Sequence, residues 1–286
     1  MSSPAEVPAT RATRGRDARR SVVTVRAGQL APSIDRVAAE EPLEIRVDGS
    51  PVTVTMRTPG DDFELAVGWC VAEGVVAPGD VATARYCAGR DAEGQHTFNV
   101  VDVATRSGAP VPPERRRTVA TTSACGVCGS ATLDAVHRHV DGVAHARTSL
   151  RAETLAELPD RLRAAQAVFA RTGGLHAAGV FTAAGELVCA REDVGRHNAV
   201  DKVLGWAVTH DALPLAGHVL MVSGRVAFEI VQKALVGGLP AVAAVSAPTS
   251  LAVTLAEEAG LTLVGFLRGT SMNVYAHPER VVADST

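Results

Sequence analysis

The sequence predicts an α/β chain, α+β in its overall layout. A β-rich N-terminal part is joined to a C-terminal part built on a mainly parallel sheet. Three observations lead there. Early in the chain, short apolar–polar alternations of strand period are separated by turn residues. In the last third, three short apolar runs alternate with two helical patterns through short connections, a grammar that calls for parallel strands and right-handed crossovers. Finally, 286 residues at 47% hydrophobic and 21% charged suit one large or two medium soluble domains. Collagenous, membrane-spanning and wholly disordered chains are excluded.

In chain order, residues 1–20 read as a disordered basic tail, with Pro4, Pro8 and five arginines but almost no large apolar residue. No apolar run follows Arg19-Arg20, only the short alternating strand Ser21–Val25, so an export signal is not supported. Leu43, Ile45 and Val47 alternate, as do Val52, Val54 and Met56. Asp48-Gly49-Ser50-Pro51 between them signals a hairpin. Thr58-Pro59 reads as a cap followed by proline at the first helical position, opening a helix with Phe63, Ala66, Val67 and Cys70 on one apolar face and Gly74 at its end. Val81–Tyr86 and Phe98–Val103 form a second hairpin candidate through Asp91–Gly94. The turn-rich stretch Ser107–Pro113 leads to Cys125-Gly126-Val127-Cys128 and a helix from Ala131 to about Val140. An amphipathic stretch follows Leu158, with Leu162, Ala165, Gln166 and Phe169 on one side. Then come the strand Val219–Val222, the helix Val226–Val236 ending at Gly237-Gly238, and the run Ala241–Val245. A helix capped by Thr249 or Ser250 closes at Gly260, before the run Leu261–Leu267. This divides the chain into the tail, a β-rich domain over residues 21–130 ending in the Cys-x-x-Cys loop, and an α/β domain over residues 131–286.

A net charge of -3 gives no general basic excess, so nucleic acid is not an expected partner. No apolar run approaches the roughly 20 residues that span a bilayer. Membrane attachment is therefore not expected, and a reducing cytoplasmic location is. Five cysteines are too few, and odd in number, for a disulfide scaffold. Cys70, Cys87 and Cys189 fall within apolar helix or strand patterns and read as packing.

Parallel strands put their C-terminal ends on one edge, where ligands bind. Ser223-Gly224-Arg225 follows the first of the three runs, Ser246-Ala247-Pro248-Thr249-Ser250 the second, and Arg268-Gly269-Thr270-Ser271 the third. Small residues, hydroxyls and arginines opening into helices suit an anionic, nucleotide-like ligand. The bland alternative is good helix caps with solvent-facing arginines. Neither Gly-x-x-x-x-Gly-Lys-Ser/Thr nor Gly-x-Gly-x-x-Gly occurs.

Cys125 and Cys128 sit in a polar, glycine-flanked segment before a helix, where N–H dipoles favour a thiolate. A structural zinc site needs four ligands, and neither a second Cys-x-x-Cys nor a finger-spaced histidine pair exists. No structural metal is expected, though a zinc-binding Cys-x-x-Cys module stays as an alternative. The deaminase signature of His-x-Glu before Pro-Cys-x-x-Cys is absent. A reactive thiol carrying sulfur as a persulfide fits a reduced compartment. A third cluster, Arg191–Asn198, places Asn198 as the cap of a helix burying Val200, Val203, Leu204 and Ala207. The density of charge before it leaves both a structural and a ligand role open for Arg196 and His197.

Thr121–Gly129, Glu192–Lys202, Ser223–Lys233, Ser246–Ser250 and Gly265–Tyr275, in this order, resemble the FdhD family of formate dehydrogenase accessory proteins. The likeness runs over about residues 21–281. It implies a sulfurtransferase that takes persulfide sulfur from a cysteine desulfurase and passes it to Mo-bis(molybdopterin guanine dinucleotide), the molybdenum cofactor of the formate dehydrogenase catalytic subunit. On this pattern Cys125 bears the persulfide with Cys128 as its partner, and Phe266, Leu267, Arg268, Gly269, Thr270 and Ser271 form the cofactor-binding segment. GDP is then a fragment analogue of the cofactor. The resemblance also implies a cytidine-deaminase-like C-terminal fold and a homodimer. A cofactor-binding scaffold that handles no sulfur is the rival reading.

Overall fold

In the computed structural model of the chain, residues 15–87, 98–112 and 148–283 are described. The chain opens with a ribbon of two antiparallel strands, β1 (Asp17–Arg26) and β2 (Gln29–Ala38). β1 thus begins inside the segment expected to be a tail. Register puts Val23, Val25, Leu30 and Ile34 on one face of the ribbon, each at least 60% exposed.

Next, β3 (Glu41–Val47) and β4 (Ser50–Arg57) pair as expected. Asp48 and Gly49 both take positive φ, 47° and 78°, as a tight two-residue hairpin turn requires. Helix α1 (Asp62–Ala72) follows, then β5 (Val81–Tyr86) and β6 (Val100–Thr105), giving a four-stranded sheet of order β4-β3-β6-β5. Thr58 does not cap α1. Asp61 holds the cap position, while the Thr58 hydroxyl donates to the Ala39 carbonyl and accepts from Val194 N–H. The expected single apolar face is also corrected. Leu65, Trp69 and Val71 are buried along with Ala66, Val67 and Cys70, whereas Phe63 is 38% exposed against Tyr86. The cause is packing on two sides, because α1 lies between the four-stranded sheet and a later helix.

After the short strand β7 (Leu150–Arg151) come α2 (Ala152–Ala165) and α3 (Ala167–Thr172). The amphipathic stretch therefore starts before Leu158 and breaks at Gln166, whose ψ of 71° is not helical. Strands β8 (His176–Thr182) and β9 (Leu187–Asp193) precede α4 (Arg196–Thr209), β10 (His218–Val222), α5 (Phe228–Val236), β11 (Ala241–Ala244) and α6 (Ser250–Ala259). The hairpin β12 (Thr262–Arg268) and β13 (Ser271–Ala276) follows, and β14 (Val281–Val282) pairs with β7.

The main sheet has the order β13-β12-β11-β10-β8-β9. β10, β11 and β12 are parallel, as their short apolar runs predict. Antiparallel strands extend both sides, and β9 returns to the common direction because β8 is antiparallel to both its neighbours. Alternate residues of each strand enter two cores. Leu220, Val222, Val242 and Ala244 pack with α4, α5 and α6, while Val219, Met221, Ala241 and Ala243 pack with Leu155, Leu158 and Leu162 of α2. Burial on both faces explains the unbroken apolar strands. Among the described residues no helix is long and apolar enough to cross a membrane.

Candidate functional site

The three strand ends singled out in the sequence lie on one edge, and hydrogen bonds join their turns. After β10, Ser223 N–H donates to the Ala177 carbonyl at 3.0 Å, and its Oγ accepts from Ala177 N–H at 2.9 Å. This anchors the turn to the start of β8. Val226 N–H donates to the Ala247 carbonyl and Thr249 N–H to the Val226 carbonyl, joining the β10 and β11 turns. Phe266 N–H donates to the Ser246 carbonyl at 3.2 Å, joining the β11 turn to β12.

Glycine permits that last approach. A Cβ on Gly265 would lie 2.9 Å from Pro248 Cδ and 3.2 Å from the Ser246 carbonyl oxygen. Beyond it the β12–β13 register shifts between Gly265 and Arg268, a bulge that re-aims the intervening residues. Phe266 carries the bulge with φ 51°, a left-handed conformation that is costly for a bulky residue and is held only by its surroundings. The residue is 40% exposed.

The predicted ligand residues sort by environment. Arg225, Arg268, Gly269, Thr270 and Ser271 are exposed along the edge, with Gly269 (φ 53°) and Thr270 forming the turn into β13. Leu267 is fully buried in the α2-side core, leaving only its backbone near the edge. Thr249 caps α6, accepting from Ala252 N–H at 3.3 Å, and Ser250 is the first residue of that helix. Gly224 is buried against His176 and Arg196. Cys125 and Cys128 lie outside the described residues. Cys70 and Cys189 are buried, and burial pushes both thiols up, Cys189 to about 12, so neither offers a thiolate near neutrality.

The charged cluster before α4 mostly braces the fold. Glu192 accepts from Val168 and Phe169 N–H at the start of α3. Asp193 is fully buried and accepts from Gly195 N–H, Thr58 N–H and Asn198 Nδ2, with Lys202 Nζ at 2.8 Å. Asn198 is not the cap of α4, since Gly195 holds that position; its amide donates instead to Asp193 and to the Met56 carbonyl. Lys202 also donates to the Thr58 and Glu192 carbonyls. These bonds fasten the N-terminal sheet to the α/β part and account for every charged or amide member of the cluster after Arg191 except Arg196 and His197.

Two features were not visible in the sequence. The direction of β9 brings its C-terminal end to the same edge, a consequence of β8 running antiparallel. His176, at the start of β8, reaches the edge too, though no motif surrounds it.

The FdhD/NarQ family model matches residues 38–282. A sulfur carrier protein FdhD of Streptomyces avermitilis is 56% identical over 92% of this chain and 95% of its own length. The Mycobacterium tuberculosis protein of the same name is 55% identical over 92% of this chain and 98% of its own. In fold, the chain is similar to the crystal structure of a protein of Desulfotalea psychrophila described as a formate dehydrogenase accessory protein, with a TM-score of 0.73, 23% identity, and coverage of 94% of this chain and 100% of that one. With one family model spanning both sheets and relatives more than half identical along nearly their whole length, the chain belongs to the FdhD/NarQ family.

Proposed function

We propose that this chain is a sulfurtransferase that accepts persulfide sulfur from a cysteine desulfurase and delivers it to Mo-bis(molybdopterin guanine dinucleotide) before the cofactor enters the formate dehydrogenase catalytic subunit. The coarser role, sulfur carriage, goes with the family, whose curated relatives are named sulfur carrier proteins. The finer reading rests on one observation: the turns after β10, β11 and β12 are joined into a single rim that exposes Arg225, Arg268, Thr270, Ser271 and the strained Phe266.

That rim supports a nucleotide-bearing substrate. The two guanidinium groups can form forked, charge-assisted bonds to pyrophosphate oxygens. The helices that begin beyond the first two turns, α5 and α6, add partial positive charge at their starts. The exposed Phe266 ring offers a face on which a guanine base can stack. The molybdenum cofactor is cargo here, and the chain's part is to hold its nucleotide ends.

The sulfur step is assigned to Cys125 and Cys128. Cys125 thiolate attacks the terminal sulfur of the donor persulfide. A new S–S bond forms on Cys125, and the donor's own S–S bond breaks to release its thiolate. Cys128 shares the sulfur or assists its release. A cytoplasmic location, where thiols stay reduced, belongs to this proposal. So does a homodimer, for which the exposed apolar face of the β1–β2 ribbon offers a surface, since an isolated two-stranded ribbon is marginal in water.

The test is maturation of formate dehydrogenase by a Cys125→Ala chain. Loss of maturation with folding and GDP binding retained is the expected result. Normal maturation would overturn sulfur carriage on Cys125 and leave a scaffold that protects the cofactor and handles no sulfur, or a zinc-binding Cys-x-x-Cys module.

A further inference from the structure

The rim has a fourth strand end, and it holds the two side chains of the charged cluster that the fold does not use. β9 runs in the same direction as β10, β11 and β12, so the turn from Asp193 into α4 opens at the same edge. His176 stands opposite, paired in register with Asp193. Gly224 of the β10 turn closes the notch between them. A Cβ there would meet His176 Nδ1 at 3.3 Å and Arg196 Cβ at 3.7 Å. Three segments of the chain thus meet at one corner of the edge, which brings together His176, Arg196, His197 and the Gly224 backbone.

Two polar atoms at this corner are unmatched. Arg196 Nε and His197 Nε2 are both buried from water and have no hydrogen-bond partner among the described residues. Unmet buried polar atoms are rare in native proteins and cost stability unless a ligand or water completes them. Their surroundings are also biased in sign. Burial first, and then Lys233, Arg196 and His176, oppose a positive charge on His197; burial and Arg196 oppose one on His176, where Asp193 favours it. Two acids face the group. Asp193 is engaged by Lys202, Asn198 and two backbone N–H groups. Glu229 stands 3.9 Å from His197 Nε2, too far for a hydrogen bond. What remains is Arg196 Nε and His197 Nε2, beside the His176 ring, with no acceptor supplied to those two atoms among the described residues.

We propose that His176, Arg196 and His197 form a phosphoryl-binding subsite at the β9 end of the rim, taking one phosphate of a nucleoside diphosphate. This rests on the rim's reading as a nucleotide site and extends it. Arg225 and Arg268 are exposed to solvent and salt, whereas this subsite is recessed, so its contacts are less screened. Gly224 belongs to the subsite because any side chain there would crowd the histidine and arginine.

The test is calorimetry of the full chain with two probes, inorganic pyrophosphate and GDP. Arg196→Gln should weaken both at least about ten-fold, the scale of one lost charge-assisted bond. Unchanged affinities in Arg196→Gln, alongside weakened GDP binding in Arg268→Ala, would overturn the subsite and leave the rim reading intact. A wild-type chain that binds neither probe would overturn both. Should Arg196→Gln fail to fold, the wild-type protein decides the matter through its histidine ring signals in nuclear magnetic resonance. Added pyrophosphate should shift the signals of His176 and His197, and signals that stay unmoved at saturation would refute the assignment.

Discussion

His197 is half of an exchange between stability and binding. Burial, and then the nearby Lys233, Arg196 and His176, hold its imidazole down to about 3 from an ordinary value of 6.5. A histidine depressed in the folded state contributes stability that is present above the unfolded value and lost as pH falls toward the folded one. Between about pH 7 and about pH 5 the wild-type chain should therefore lose about 2 kcal/mol more than His197→Gln in urea unfolding. Equal losses would show that the ring is not held neutral. Asp201 works in the opposite sense. Burial raises its carboxyl to about 6 although Lys233, at 2.6 Å, pulls it down, so its contribution is present below 3.8 and lost as pH rises through 6. Comparison with the His197 variant removes that background. The sequence drew attention to Arg196 and His197 as polar residues before a helix. It could not tell which members of the cluster were already engaged, because Glu192, Asp193, Asn198 and Lys202 meet Val168, Thr58 and Met56 from distant parts of the chain.

Helices α1 and α4 cross with their backbones in contact. A Cβ on Gly68 would lie 1.8 Å from the Asp201 carbonyl oxygen, and one on Gly205 would lie 1.8 Å from that of Glu64. Neither obstacle is a flexible side chain, so the helices must separate to admit a methyl group. Gly205→Ala should destabilise by at least about 3 kcal/mol, the upper end for overpacking, despite its better helix propensity. A variant of unchanged thermal midpoint would mean that the crossing is looser. The sequence patterns found the features whose signals are local: the β3–β4 hairpin from Asp48-Gly49, the cap at Thr249, and the short apolar runs of the parallel strands β10, β11 and β12. They misplaced what depends on distant contacts. The Thr58 hydroxyl resembled a cap but bonds to Ala39 and Val194, and α1 resembled a one-faced helix but is covered on two sides.

Taken together, the N-terminal sheet, α1 and α4 form a brace that fixes one end of the rim. Asp193 and Lys202 are both fully buried and tie β9, α4 and the Thr58 turn at one point. Such a pair is costly to desolvate and gives little net stability, but it fixes one arrangement of the segments it joins. The rim geometry is therefore a property of the whole chain, and the family match across residues 38–282 covers both the brace and the rim. The rim was legible in the sequence because parallel strand ends share an edge by topology alone. The β9 end was not, since its direction depends on two antiparallel pairings. On the proposed function, this chain carries sulfur on Cys125 to a nucleotide-bearing substrate. That carriage is tested most directly by mass spectrometry of the chain after incubation with a cysteine desulfurase and cysteine. The expected result is an added mass of one sulfur atom, removed by reductant and mapped to the peptide containing Cys125. A Cys125 peptide that stays unmodified while the desulfurase turns over would contradict it.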